Sequence, residues 1–154
     1  MRRHALLLPV LLLPLAACGG DASADLKPAY LSDAQAACDR ASTSFAGLQT
    51  PTAPAEFAPF VNQTLAIAET AQSELAALTP PEADRAELDS KVLDPFATLV
   101  EKAKGYAAQV EAAGTEQAAL LPLLAQRPSA DAIDLEFLRS YGLASCAEAI
   151  DDLG

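Results

Sequence analysis

Along this chain the apolar positions fall into stripes of helical period, broken by Pro, Gly and Thr. Phe57, Val61, Leu65, Ala68, Gln72, Leu75 and Leu78 follow three- and four-residue steps and trace one helical face. Leu88, Val92, Phe96, Leu99, Ala103, Tyr106 and Val110 trace a second. Between the two stands "TPPE", with Thr79 as N-cap, Pro80 at the first helical position and Glu82 as capping-box partner. So little loop predicts a tight helical hairpin. Pro95 lies inside the second stripe and predicts a kink over residues 91–94.

The punctuation elsewhere is also helical. Ser32 and Gln35 form a capping box before "DAQAACDRASTSFAGL", which Gly47 ends. The segment "TPTAP" starts the next helix, with Pro54 and Pro59 in its first turns. Gly114 ends the third helix and Thr115 opens "TEQAALLPLLAQR", bent at Pro122. Ser129, with Asp131 in the first turn, opens a helix that turns Ile133, Phe137, Leu138 and Tyr141 inward. Gly142 breaks it, and residues 143–150 form a short turn or helix holding Cys146. Ala, the best helix former, recurs throughout, and no strand pattern competes. The expectation is an all-α, up-and-down bundle of four to five helices over residues 31–154, with an Ala-rich, closely packed core. Residues 19–30, "GGDASADLKPAY", have no apolar period and read as a flexible tether reaching at most about 40 Å.

The N-terminus follows a different rule. Met1-Arg2-Arg3-His4 is basic, and Ala5 to Leu15 is almost wholly apolar. A membrane-spanning helix needs roughly 20 apolar residues, so this run reads as a secretory signal over residues 1–17. It ends in Leu15-Ala16-Ala17-Cys18, then Gly19 and Gly20. That step resembles the lipobox of bacterial lipoproteins: an apolar residue, two small ones, then Cys. The resemblance implies a diacylglyceryl group on the Cys18 sulfur and cleavage that makes Cys18 the first mature residue. The alternative is a plain signal peptide cut near Ala17.

Cleavage there changes the composition. His4 is lost, so no histidine remains. Loss of Arg2 and Arg3 leaves eight basic residues against twenty-one acidic ones, a net charge of −13 where the full chain has −11. Such a surface repels nucleic acid and anionic lipid, and no nucleic-acid partner is expected. Without His there is no Ser-His-Asp triad, no Cys-His pair and no His-based zinc site. No Gly-rich phosphate loop is present. No cofactor, metal ligand or catalytic residue is assigned, and the chain reads as a non-enzyme.

Cys38 and Cys146 remain once Cys18 is taken by lipid. Export permits oxidation, and the pair reads as a disulfide joining the first helix to the last. Two buried free thiols are the alternative; a catalytic Cys has no His to activate it. Carboxylates gather as Glu82, Asp84, Glu87, Asp89 and Asp94; as Asp131, Asp134 and Glu136; and as Glu148, Asp151 and Asp152. They read as solvated faces, with Glu87–Lys91, Glu82–Arg85 and Glu136–Arg139 at helical pair spacing. A cation site or an acid/base pair among them is the competing reading. Tyr106 and Tyr141 read as core-edge residues with wet hydroxyls. Phe57 and Phe60 read as packing, or as a contact surface if exposed.

"AACDRA", "LTPPEADRAEL" and "YGLASC" are similar to segments of small Ala- and Pro-rich helical lipoproteins of high-GC bacteria. The resemblance implies a bundle closed by Cys38 and Cys146 and carries no activity. The expected function is that of an anchored interaction or structural module. It is held through Cys18 on the extracytoplasmic face of the cell membrane, or on the outer membrane of a two-membrane organism, and meets an envelope protein. A small-ligand or cation carrier is the alternative, and a carboxylate-based hydrolase stands behind it.

Overall fold

A computed structural model describes residues 22–151 of the chain. In order they form α1 (Ala22–Ala46), α2 (Pro54–Ala77), α3 (Glu82–Leu88), a π-helical turn (Asp89–Leu93), α4 (Asp94–Ala113), α5 (Gln117–Leu124), α6 (Leu135–Tyr141) and α7 (Ala144–Asp151). No strand occurs among the described residues. The all-α expectation therefore holds. α3, the π turn and α4 run on without a break, so the described residues make six helices rather than four or five. The added one is α7, where a turn or short helix stood as alternatives.

Three long runs build the bundle: α1, α2 and the α3–α4 helix. α2 and α4 are antiparallel, as two cross-links show. Asn62 Nδ2 donates to Glu111 Oε1 at 2.7 Å, and Lys104 meets Glu69 at 3.3 Å. α1 packs on α2, where Arg40 meets Glu74 at 2.8 Å. α7 packs on α1 and α6, and α5 packs on α4.

The apolar stripes bury into two clusters. At one end Tyr30, Ala34, Ala37 and Cys38 of α1 meet Leu75, Leu88, Val92, Ile133, Leu138, Leu143, Cys146 and Ala147. The Ala residues leave room for close helix approach, as the composition implies. At the other end Tyr106, Val110, Leu120 and Leu123 meet Phe57, Ala58, Val61 and Ala113. From Leu88 to Val110 the helical rise is roughly 30 Å, so the clusters lie at opposite ends of the bundle. The α1 end of the chain belongs to the first.

Pro95 acts through its missing N–H. It cannot serve the Lys91 carbonyl four residues back. The ladder widens just before it, where the Asp94 N–H reaches the Asp89 carbonyl five residues back. The expected kink is thus a π turn. The Lys91 carbonyl instead accepts from the Asp134 N–H at 3.0 Å.

Several helix starts differ from their sequence signals. α1 is helical from Ala22, so most of the expected tether of residues 18–30 is helix. Burial of Tyr30 in the first cluster draws that segment into the fold despite Pro28. Ser32 and Gln35 are accordingly inside α1 and cap nothing there. Gln35 Nε2 donates instead to the Gly142 carbonyl at 2.7 Å, fastening the turn between α6 and α7. α3 starts at Glu82 with Pro81 as N-cap, its carbonyl taking the Asp84 and Arg85 N–H groups; Pro80 and Pro81 are both buried. α5 starts after Glu116 rather than Thr115. Ser129 Oγ bonds Asp131 Oδ2 at 2.6 Å in a turn, and α6 starts after Asp134, whose carboxylate accepts from the Phe137 N–H at 2.8 Å. At α1 and α3 the residue with the right spacing lost to burial of Tyr30 and Pro81, and at α6 to Asp134, which is tied to Lys91 and Phe137.

The "TPTAP" start survives. The Glu56 carboxylate accepts from Thr52 N–H at 2.7 Å, Thr52 Oγ1 at 3.0 Å and Ala53 N–H at 3.2 Å. Those bonds, the Thr52 N–H first, hold its pKa below the usual carboxylate value. Gly142 also acts as expected. At φ 104° it ends α6 in the left-handed region, which side chains with a Cβ rarely adopt.

Candidate functional site

Cys38 and Cys146 form a disulfide between α1 and α7, with Cα atoms 5.0 Å apart across 108 residues of sequence. Both are buried. Neither sulfur is a free thiol. Cys18, the signal segment 1–17 and residues 18–21 lie outside the described residues, as does Asp152.

The densest polar constellation sits over the first cluster, where α1, α3 and α6 meet. Tyr141 donates its hydroxyl to Asp84 Oδ2 at 2.8 Å, and Lys27 Nζ reaches the same oxygen at 3.1 Å. The Lys27 ammonium also stands 4.0 Å from the centre of the Tyr141 ring. Phe137 stacks on Tyr141 at 5.5 Å, and Lys91 lies over Phe137 at 4.6 Å while bonding Glu87 at 2.9 Å. Tyr30 meets Tyr141 edge-on at 6.4 Å. The Tyr141 hydroxyl therefore goes to a carboxylate, not to water as its sequence position suggested.

Its electrostatics describe a clasp. Burial, then the bond to Asp84, pushes the Tyr141 phenol well above its usual range. The Tyr141 hydroxyl, then Lys27, holds Asp84 below the usual carboxylate value. Burial, then repulsion from Asp89, raises Tyr30. Acid–base catalysis wants a group poised near the working pH. Here the phenol stays protonated and the carboxylate stays ionised, each moved away from neutrality. The arrangement fastens α6 and the start of α1 onto α3.

The remaining acids are dispersed. Asp134 caps α6, Asp131 holds Ser129, and Asp151 meets Arg139 at 3.6 Å, the partner that spacing had assigned to Glu136. Glu87–Lys91 forms as expected. Among the described residues no three His, Cys, Asp or Glu side chains are grouped so as to hold a metal ion.

The opposite end of the bundle offers a different surface. Residues 117–126, "QAALLPLLAQ", contain no ionisable group. α5 turns Leu120 and Leu123 into the second cluster, at 6% and 8% exposure. Leu121 and Leu124 face outward at 56% and 49%, with Ala118, Pro122 and Ala125 exposed beside them. Phe57 is half-buried against the same cluster, and Phe60 lines a shallow groove between α2 and residues 47–52. Exposed leucines of this kind mark contact surfaces when they are contiguous. Their signal was present in the sequence: a helix apolar all round needs cover all round, and an eight-residue helix that lays one side on α2 and α4 leaves the other side open.

No helix among the described residues is long and apolar enough to cross a membrane. No family model matches the chain, and no curated protein or solved structure is detectably similar to it.

Proposed function

We propose that this chain is a non-enzymatic interaction module of the bacterial cell envelope, tethered by lipid at Cys18. The observation that carries the reading is the α5 surface: two outward leucines in an uncharged helix, on an otherwise acidic bundle. It lies at the end of the bundle away from Tyr30, which stands twelve residues after Cys18 in the chain. Lipid holds one end at the extracytoplasmic membrane face and the apolar helix is offered at the other. One acyl chain binds only marginally, so stable attachment takes two or more. The lipobox step supports the anchor, and the disulfide suits an oxidising compartment.

Two measurements test it. Protein purified from host membranes should show a Cys18-started mass plus a diacylglyceryl group, and Cys18→Ser should leave the membrane fraction. An unmodified, freely soluble wild type overturns the anchor. For the interaction, a photoreactive residue at position 124 should give protein adducts in intact cells, while one at exposed Gln109 should give none. Equal yields from both positions overturn the module.

A further inference from the structure

We infer that Thr50 is a site of O-glycosylation, its sugar lying in the groove between α2 and residues 47–52. The inference goes beyond the interaction-module reading and needs from it only export to the cell envelope.

Most hydroxyl groups of the chain are engaged. Thr43, Ser44, Thr64, Thr70 and Thr98 return theirs to carbonyls one turn back in their own helices. Thr52 gives its hydroxyl to Glu56, and Ser129 gives its to Asp131. The Thr50 hydroxyl makes no hydrogen bond among the described residues. Thr50 is exposed, and residues 49–51 belong to no helix or turn. Pro51 follows it, and a residue ahead of proline is biased toward extended backbone. Extended segments are the form in which many clefts take a peptide. Other loop threonines are poorer acceptors. Thr79 precedes Pro80 and Pro81, both buried, which pin its segment to the core. Thr115 stands in the turn after Gly114, next to Glu116.

Composition points the same way. Residues 49–54, "QTPTAP", are Thr and Pro with no charge, the mixture that carries O-linked sugar on exported chains. Residues 41–55 hold no ionisable group, in a chain of net charge −11. A bulky polar sugar supplies there the hydration that charge supplies elsewhere.

The groove beside Thr50 holds about 500 Å³, within the roughly 300–1,000 Å³ of small-molecule sites. Gln49, Pro59, Phe60 and Gln63 line it with Thr50. The exposed amides of Gln49 and Gln63 offer donors and acceptors to sugar hydroxyls. Phe60 and Pro59 offer apolar surface to the sugar's C–H groups. Glu56 also lines the groove, but its carboxylate is taken by Thr52 and Ala53. The lining suits a neutral sugar.

The co-substrate is a sugar activated as a glycosyl phosphate, and a transferase of the envelope supplies the catalysis. Thr50 Oγ1 attacks the anomeric carbon. The new C–O bond forms as the bond to phosphate breaks. The phosphate leaves with that electron pair, and the hydroxyl proton passes to a base of the transferase.

The test uses full-length protein purified from its host. Trypsin releases residues 41–85 as one peptide, since no Lys or Arg lies between Arg40 and Arg85. That peptide should carry the mass of one or more sugar residues, and fragmentation that keeps the sugar attached should place it on Thr50. Thr50→Ala should lose the excess and Thr79→Ala should keep it, with melting temperatures measured alongside. An unmodified peptide, or sugar confined to another residue, overturns the proposal. The Cys18 lipid is read in the same spectra. Lipid without sugar overturns the glycosylation and leaves the anchored module standing. Sugar without lipid upholds the glycosylation and overturns the anchor.

Discussion

The amide of Asp134 donates to the carbonyl of Lys91 at 3.0 Å and ties the start of α6 to the π turn ahead of α4. The carbonyl is free because residue 95 is proline. The same Asp134 uses its carboxylate to cap α6 through the Phe137 N–H. One residue thus closes two backbone vacancies at once. Asp134→Ala should cost about 1 kcal/mol, the usual worth of an N-cap, in urea titrations. Pro95→Ala should restore a competing N–H, and hydrogen exchange at the Asp134 amide should then quicken. Unchanged exchange would mean that the proline does not set this contact.

The Cys38–Cys146 link closes a loop of 108 residues. In the chain-entropy model such a cross-link stabilises by about 4–5 kcal/mol. Replacing both cysteines with Ala should lower the urea midpoint accordingly, and α7 should lose exchange protection first. A midpoint shift under about 1 kcal/mol would show that packing of Ala147 and Leu143 alone holds α7.

Tyr141→Phe removes the hydroxyl bond to Asp84 and leaves the stacking on Phe137. The carboxylate is partly exposed, at 29%, which discounts a charged hydrogen bond to about 1 kcal/mol. The pH dependence has two limits. Asp84 is depressed on folding, so its contribution is present above the usual 3.8 and is lost as pH falls through the lower folded value. Tyr141 is raised, so its contribution is present below 10.0 and is lost as pH climbs through the higher folded value. The difference between wild type and Tyr141→Phe should therefore be flat near neutrality and shrink at both extremes. A difference that rises or falls between these two limits, in the neutral range, would assign the effect to another group.

On α5 the two leucine pairs should behave oppositely. Leu120→Ala and Leu123→Ala open the second cluster and should each cost about 2–3 kcal/mol. Leu121→Ala and Leu124→Ala should stay within about 0.5 kcal/mol by thermal melting. Equal costs at all four positions would mean that the outward face is covered in the folded monomer.

Calcium up to millimolar concentration should leave the melting temperature unchanged, because the carboxylates serve caps and ion pairs spread over separate helices. A rise of several degrees would revive the carrier reading, since a ligand that binds only the folded state stabilises it.

Much of the helical framework was legible because it is local. The stripes Phe57 to Leu78 and Leu88 to Val110, the break at Gly142 and the interruption at Pro95 depend on neighbours a few residues away. The pairing of Cys38 with Cys146 was accessible through composition alone, since two cysteines remain once Cys18 is assigned to lipid. The starts of α1, α3 and α6 were not legible. Capping signals at Ser32, Thr79 and Ser129 are each worth about 1 kcal/mol, less than burying Tyr30, Pro81 or Ile133. Tyr141 and Gln35 found partners 57 and 107 residues away, which no periodicity can report.

By itself the sequence determined an all-helical chain, the places where most helices end, and an acidic composition without histidine after His4. Only the tertiary structure decided where helices begin, which carboxylates are tied, and which leucines of α5 stay in water. Turns and stripes are set by backbone geometry within a few residues, whereas burial is set by which distant segments arrive to provide cover.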